Sequence, residues 1–506
     1  MQAELTPIDA ASHEDTEHLD VVVVGAGLSG IAAAYYLKTQ RPHERFAIFE
    51  GRDAIGGTWD LFRYPGVRSD SDMYTLGYGF APWASDRSIV DGPSIREYIE
   101  DTAKREGLSE KIRFGHRVVH ASWSSTEARW TLDVTVGTDG VPKRVTCGFL
   151  FTCSGYYDYA KGYAPEWPGR ERFSGQVVHP QHWPENLAYA GKRVVIIGSG
   201  ATAVTLAPEM AKTAAHVTML QRSPTYVVAR PAIDSIAKVV REKLPAKIAG
   251  SIVRWKNVLL GMFFFTYARK QPERMKSMIL KGVRAYLGPD YDVAKHFTPS
   301  YDPWDQRMCL VPDADLFIAI RAGKVSVETD HIEGFTETGL RLRSGATLDA
   351  DIVVSATGLN IQLLGGMTVA IDGAAVDFGS KLNYKGMMYS DVPNLASAFG
   401  YTNASWTLKC ELTAKYVCRL LKYMDDNGFA SCTPSRKAGI GELPALDFTS
   451  GYVQRALALL PKQGTRKPWK LYQNYALDLA TLKYGKVADG TMTFAKAPRA
   501  RAASKR

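Results

Sequence analysis

Four valines in succession, Val21-Val22-Val23-Val24, follow Asp20 and run straight into Gly25. A short, β-branched, all-apolar run predicts a strand buried on both faces. The period then changes. Residues 31–38 predict a helix, and Phe46-Ala47-Ile48-Phe49 predicts a second buried strand that ends in Glu50. The turn between first strand and helix is Gly25-Ala26-Gly27-Leu28-Ser29-Gly30. The same succession returns later. Residues 193–197 predict a strand, Gly198-Ser199-Gly200-Ala201-Thr202-Ala203 a turn, and residues 217–220 the next strand. Each unit is closed by a further apolar strand ending in small residues, 149–155 for the first and 351–358 for the second. This internal repeat at domain scale predicts an α/β fold with two Rossmann-like dinucleotide-binding domains.

The turns carry chemistry. In the first, Gly25 permits the tight turn, Gly27 lets the backbone approach a pyrophosphate, and Gly30 lets helix and strand pack closely. The helix start offers free N–H groups and a positive dipole end. Glu50 can accept hydrogen bonds from a ribose diol. The second unit has Gln221-Arg222-Ser223 where the first has Glu50. A carboxylate there repels a 2′-phosphate, whereas Arg222 and Ser223 can bind one. FAD is therefore expected in the first cradle and NADPH in the second. The contacts expected in the second are Gly198, Gly200, Ala201, Thr202, Arg222 and Ser223, with Thr357 and Gly358 on its closing turn.

Between the two halves of the second unit, residues 231–330 read as a helical insertion, with helical runs at 236–244 and 275–287. The charge-free run 257–268 lies between Lys256 and Arg269. It is too short to cross about 30 Å of hydrocarbon as a helix. It reads as a buried helix segment in preference to one at a membrane surface. The domain boundaries follow: a flexible leader at 1–18, FAD-binding parts at 19–158 and 376–495, NADPH-binding parts at 159–230 and 331–375, and a basic, disordered tail at 496–506.

Composition narrows the field. At 45% hydrophobic and 23% charged, a fully disordered chain is excluded. Six cysteines, none in CxxC, argue against a disulfide scaffold, a zinc ribbon or a thioredoxin-type pair, so no metal site is expected. Reduced thiols point to the cytoplasm. The net charge is +10, from 62 Lys+Arg against 52 Asp+Glu. It is uneven: residues 461–506 carry 11 basic and 2 acidic residues, and residues 231–300 carry 13 and 5. The remainder is mildly acidic, so nucleic acid is not needed to explain the balance. Peripheral contact of the insert and tail with an anionic membrane stays open, as does the oligomeric state.

After Glu50 comes Gly56-Gly57-Thr58-Trp59, which resembles the GG[TV]W element of flavin-dependent monooxygenases. Residues 173–184, Phe-Ser-Gly-Gln-Val-Val-His-Pro-Gln-His-Trp-Pro, fit FxGxxxHxxxW[PD] and lie between the two cradles. The chain resembles the type I Baeyer–Villiger monooxygenases over nearly its whole length. The stretches 56–78, 301–312 and 400–409 are most similar to the ethionamide-activating ketone monooxygenase subgroup. Disulfide reductases share the two-cradle fold but carry a CxxxxC pair, and none occurs here.

The resemblance implies a two-dinucleotide-binding flavoprotein that uses NADPH and dioxygen. Its product is an ester or lactone made from an apolar ketone through a peroxide at flavin carbon 4a, and it also implies oxygenation of sulfides. The alternative is an N- or S-oxygenase with little ketone activity. It places the catalytic arginine at Arg307, oriented by Asp70; where family members often have Lys before this arginine, the chain has Gln306. It implies that Gly57, Thr58, Trp59, Arg63, Tyr64 and Asp70 wall the flavin, and that Thr402, Asn403 and Trp406 border flavin or substrate. Phe173, Gly175, His179 and Trp183 carry the fingerprint. His179 is expected to couple the motion of the two nucleotide domains, and Trp183 to pack. The aromatic-rich insert either shapes a ketone pocket or is simple core.

Overall fold

The computed structural model describes residues 16–446 and 448–497. Residues 1–15 of the leader and 498–506 of the tail lie outside them.

The strand Glu17–Val24 sits between Phe46–Phe49 and Val141–Thr152, parallel to both, in a nine-stranded sheet. Val21, Val22 and Val23 are fully buried, as a strand covered on both faces requires. The strand begins earlier than the leader boundary at 18 implies. Glu17 pairs with Val145, and its carboxylate takes two hydrogen bonds from Arg113, at 2.6 and 2.7 Å. Val141–Thr152 also pairs antiparallel with Arg129–Val136, which continues to His116–Ser124 and Thr368–Ile371. Thr368–Ile371 and its antiparallel neighbour Ala374–Ala375 thus belong to the first sheet, although both fall in the 331–375 stretch read as the second domain.

The second sheet is five-stranded and wholly parallel: Val325–Thr329, His216–Gln221, Arg193–Ile197, Ile352–Ser355 and Gln176–Val178. Its last edge is fingerprint sequence. Its first edge corrects the extent of the insertion, which does not run to 330. The helices Ser235–Lys243, Ala246–Lys270, Pro272–Leu287 and Val293–Phe297 end well before it. Val325 and Val327 point alternately into the second core, which is why this stretch pairs as a strand.

The run 257–268 lies within Ala246–Lys270, and the expectation that it is core fails. Only Ala249, Val253, Val258 and Ala268 are buried along this helix, while Leu259 and Phe263 are 57% and 61% exposed. Beside these small apolar contacts its inward face carries polar anchors. Arg254 pairs with Glu411 at 2.5 Å and Asn257 donates to Asp72 at 3.0 Å on that face, while Lys256 turns sideways to Asp234 at the start of the preceding helix. Apolar content without phase gave the wrong side.

Candidate functional site

Strands of both sheets end at one cavity of about 1220 Å³. It exceeds the ~300–1,000 Å³ of a pocket for one drug-sized ligand. Gly25 and Cys153-Ser154-Gly155 enter it from the first sheet, Gly198 and Ala356-Thr357-Gly358 from the second. Ligands sit at carboxyl ends of strands in such sheets.

The first cradle admits no larger residue at Gly30, where a Cβ would stand 1.8 Å from the carbonyl oxygen of Gly25. Gly30 therefore serves helix–strand packing and does not line the cavity. Gly25 adopts φ +104°, and a side chain there would collide with the Cys153 carbonyl. Gly200 is the opposite case: a Cβ would meet no protein atom within 4 Å. That open space lies ahead of the helix Ala201–Met210, where a pyrophosphate fits.

Glu50 is buried, and its two oxygens accept from the N–H groups of Ala26 at 2.7 Å and Arg52 at 3.0 Å. Burial pushes its carboxyl above the ordinary value, against the pull of those N–H groups. Each oxygen keeps acceptor capacity for a ribose. Gly27, Gly57, Thr58, Trp59, Tyr64, Ala201, Thr202, Arg222 and Ser223 all line the cavity. Tyr64, whose hydroxyl meets the Thr202 side chain, joins the two cradles; burial pushes its phenol up to about 12. Arg63 is different. It turns to buried Asp60 at 2.7 Å, alongside Arg52 and Arg96, and stands off the cavity.

Arg307 and Asp70 meet in a two-point ion pair, Nε to Oδ2 at 2.7 Å and Nη2 to Oδ1 at 2.8 Å. Both line the cavity. The Asp70 carboxylate holds Arg307 further into its charged form, against desolvation. The segments carrying the pair are themselves fastened. Arg68 bonds Asp315 across the domains at 2.5 Å, and Arg269 bonds Asp305 at 2.6 Å.

Three aromatic neighbours of Arg307 went unread in the sequence: Tyr156, Tyr157 and Tyr452. Tyr156 and Tyr157 share a hydroxyl contact of 2.6 Å, and Tyr156 stacks on Trp406 at 4.9 Å. The available signal for Tyr156 and Tyr157 was their place directly after the first return turn; Tyr452 had none. Trp406 donates to Ser29 at 2.9 Å and lines the cavity. Thr402 and Asn403 do not. Both bond Gln473 and tie down the loop that carries Tyr401.

The fingerprint residues stand apart from the cavity. Phe173 packs edge-to-face on Phe335 at 5.6 Å, and a Cβ at Gly175 would stand 2.4 Å from the Asp351 carbonyl. Trp183 packs against the second core. The His179 ring lies against Gly162, where a Cβ would come within 2.1 Å. Its Nδ1 accepts from the Gln181 N–H at 3.2 Å, and its Nε2 is buried without a partner. Burial lowers its pKa, with the Tyr163 and Gly358 backbones opposing. The neighbouring Tyr163 N–H bonds the Gly358 carbonyl, on the second cradle's closing turn, at 3.1 Å. A group of His43, Glu44 and Asp425 has metal-like spacing, but Arg41 pairs with both carboxylates.

A family model described as flavin-binding monooxygenase-like matches residues 19–238. An FAD-containing monooxygenase of Mycobacterium tuberculosis (strain H37Rv), EthA, is 54% identical over 485 residues, which cover 96% of this chain and 99% of that protein. A probable FAD-binding monooxygenase of Acinetobacter baylyi, AlmA, is 48% identical, covering 95% and 97%. Among solved structures, a steroid monooxygenase bound to NADP superposes with a TM-score of 0.74 at 22% identity, covering 95% of this chain and all of that one. OTEMO in complex with FAD and NADP gives 0.68 at 22% identity, covering 83% and 88%. These likenesses carry the two-dinucleotide-binding fold, and the near full-length identity carries the kinship: the chain belongs to the flavin-binding monooxygenase-like family.

Proposed function

We propose that this NADPH-dependent flavin monooxygenase inserts one oxygen atom of dioxygen beside the carbonyl of an apolar ketone, giving an ester or lactone, and also oxygenates sulfides. The observation that carries the reading is the Arg307–Asp70 pair on a cavity shared by both cradles. When bound, FAD and NADPH supply the hydride transfer and the activation of dioxygen.

The chain's own residues supply position, charge and dryness. Arg307 cannot lose its proton, so it offers N–H donors to negative charge on the reacting oxygens. Asp70 fixes the plane of that guanidinium and tempers its charge. Glu50 receives the ribose of FAD, and Arg222 with Ser223 receives the 2′-phosphate of NADPH. Tyr156, Tyr157 and Trp406 supply an aromatic wall that excludes water, which keeps activated oxygen from being wasted. His179, neutral and wedged between the linker and the second closing turn, carries motion between the domains and takes no proton from substrate. The six buried, unpaired cysteines suit the reducing cytoplasm.

The test is product analysis by mass spectrometry, with isotopically labelled dioxygen, NADPH and a simple ketone. A labelled ester supports the reading. Efficient sulfide oxidation without any ester overturns it in favour of an N- or S-oxygenase.

A further inference from the structure

We infer that the outward face of the helix Ala246–Lys270 docks on the surface of an anionic lipid bilayer. Ile248, Ile252, Leu259 and Phe263 recur along it at spacings of four, seven and four, which puts them on one side of an α-helix. All four are exposed, at 45% to 61%. The stripe is about 22 Å long at 1.5 Å per residue. Ile236 on the preceding helix and Met278 on the following one are exposed as well. An exposed apolar surface of this extent marks an interaction site.

Charge selects the occupant. Residues 231–287 carry 12 Lys+Arg and 3 Asp+Glu; Arg241, Arg254, Lys256 and Arg269 are ion-paired, while Lys243, Lys247 and Lys270 are among those exposed to solvent. An apolar face with a basic surround fits acyl chains below anionic headgroups, with lysine stems reaching back to the phosphates. A second copy of the same face would bring like charges together. By length and composition alone this helix could cross a membrane. Its inner side forbids that orientation in the folded protein, because Arg254 and Asn257 at mid-helix are bonded to Glu411 and Asp72 of the body; Lys256 interrupts the apolar stripe itself, and there it pairs with Asp234 at the start of the preceding helix. The helix lies along the surface.

The opposite side of the helix touches the cavity wall. Val258 packs with Tyr401 and Ala404, both of which line the cavity. Docking therefore sets that wall one helix away from the phase into which long-chain ketones partition. This consequence rests on the proposed ketone reading; the docking does not.

The experiment is flotation of the purified holoenzyme with vesicles. One set contains phosphatidylglycerol in phosphatidylcholine, the other phosphatidylcholine alone. The native enzyme should float with the anionic set and release in high salt. The double variant Leu259→Gln/Phe263→Gln should lose at least tenfold in bound fraction while keeping its flavin absorbance, thermal midpoint and turnover of a water-soluble ketone. Lys243→Gln/Lys247→Gln should weaken anionic binding alone. No binding of the native enzyme, or binding unaltered by both variants, overturns the proposal. So does a change of oligomeric state in the first variant without vesicle binding, which would assign the face to a second copy.

Discussion

Asp70 and Arg307 stand 237 residues apart in the chain and meet through both guanidinium edges, at 2.7 and 2.8 Å. One partner follows the flavin cradle and the other follows the helical insertion, so the pair exists only when both segments are folded. A two-point geometry fixes the plane of the guanidinium, which a single contact leaves free.

Replacing Arg307 by Ala should lower ester formation by ~100-fold or more while NADPH oxidation continues. Arg307→Lys should not rescue it, since lysine lacks the planar fork. Product formed per NADPH consumed is the measurement; coupling retained in either variant removes Arg307 from its role.

Arg222→Ala should raise the KM for NADPH by roughly tenfold or more and leave that for NADH nearly unchanged, because a charge-assisted phosphate contact is lost. Steady-state kinetics with both nucleotides checks it. Equal weakening of both would place the 2′-phosphate elsewhere.

Gly30→Ala sets a methyl group against the Gly25 carbonyl, where no side chain can yield. A destabilisation of about 3 kcal/mol is expected. The protein should purify without flavin, as read from its visible absorbance. A yellow variant of native stability would mean that helix and strand can separate there.

Stability should fall as pH drops below about 6.5, the ordinary value for histidine. Burial lowers the pKa of His18, His179 and His296. In that window the unfolded chain binds protons that the folded chain refuses, so unfolding is favoured by acid. The contribution is present above 6.5 and is lost as pH descends through the lowered values. Thermal midpoints between pH 7.5 and 5.5 check this, and His179→Gln should flatten the slope.

The paired cradles were legible because their pattern is local: an apolar run, glycines at fixed spacing and a period change lie within about thirty residues. The place of Arg222 on the cavity was legible because it stands where Glu50 stands in the other unit. Arg307 was not legible from spacing. Its neighbours in sequence carry no period, its partner is remote, and only resemblance to a family selected it. The insert was misread for a physical reason. Its larger apolar residues face outward while Arg254 turns inward to Glu411, an arrangement that composition cannot reveal and that needs helical phase plus the position of Glu411. The end of the insert was also misplaced, because Val325–Thr329 is a short edge strand joined through pairing with residues a hundred positions earlier.

The nine-stranded sheet takes strands from Glu17 to Ser397, whereas the five-stranded sheet is complete at Ser355. A chain emerging from the ribosome N-terminus first therefore finishes its second nucleotide domain before its first. Thr368–Ile371 and Leu395–Ser397, which complete the nine-stranded sheet, arrive last. A nascent chain stalled short of residue 397 presents a finished five-stranded sheet beside an unfinished nine-stranded one.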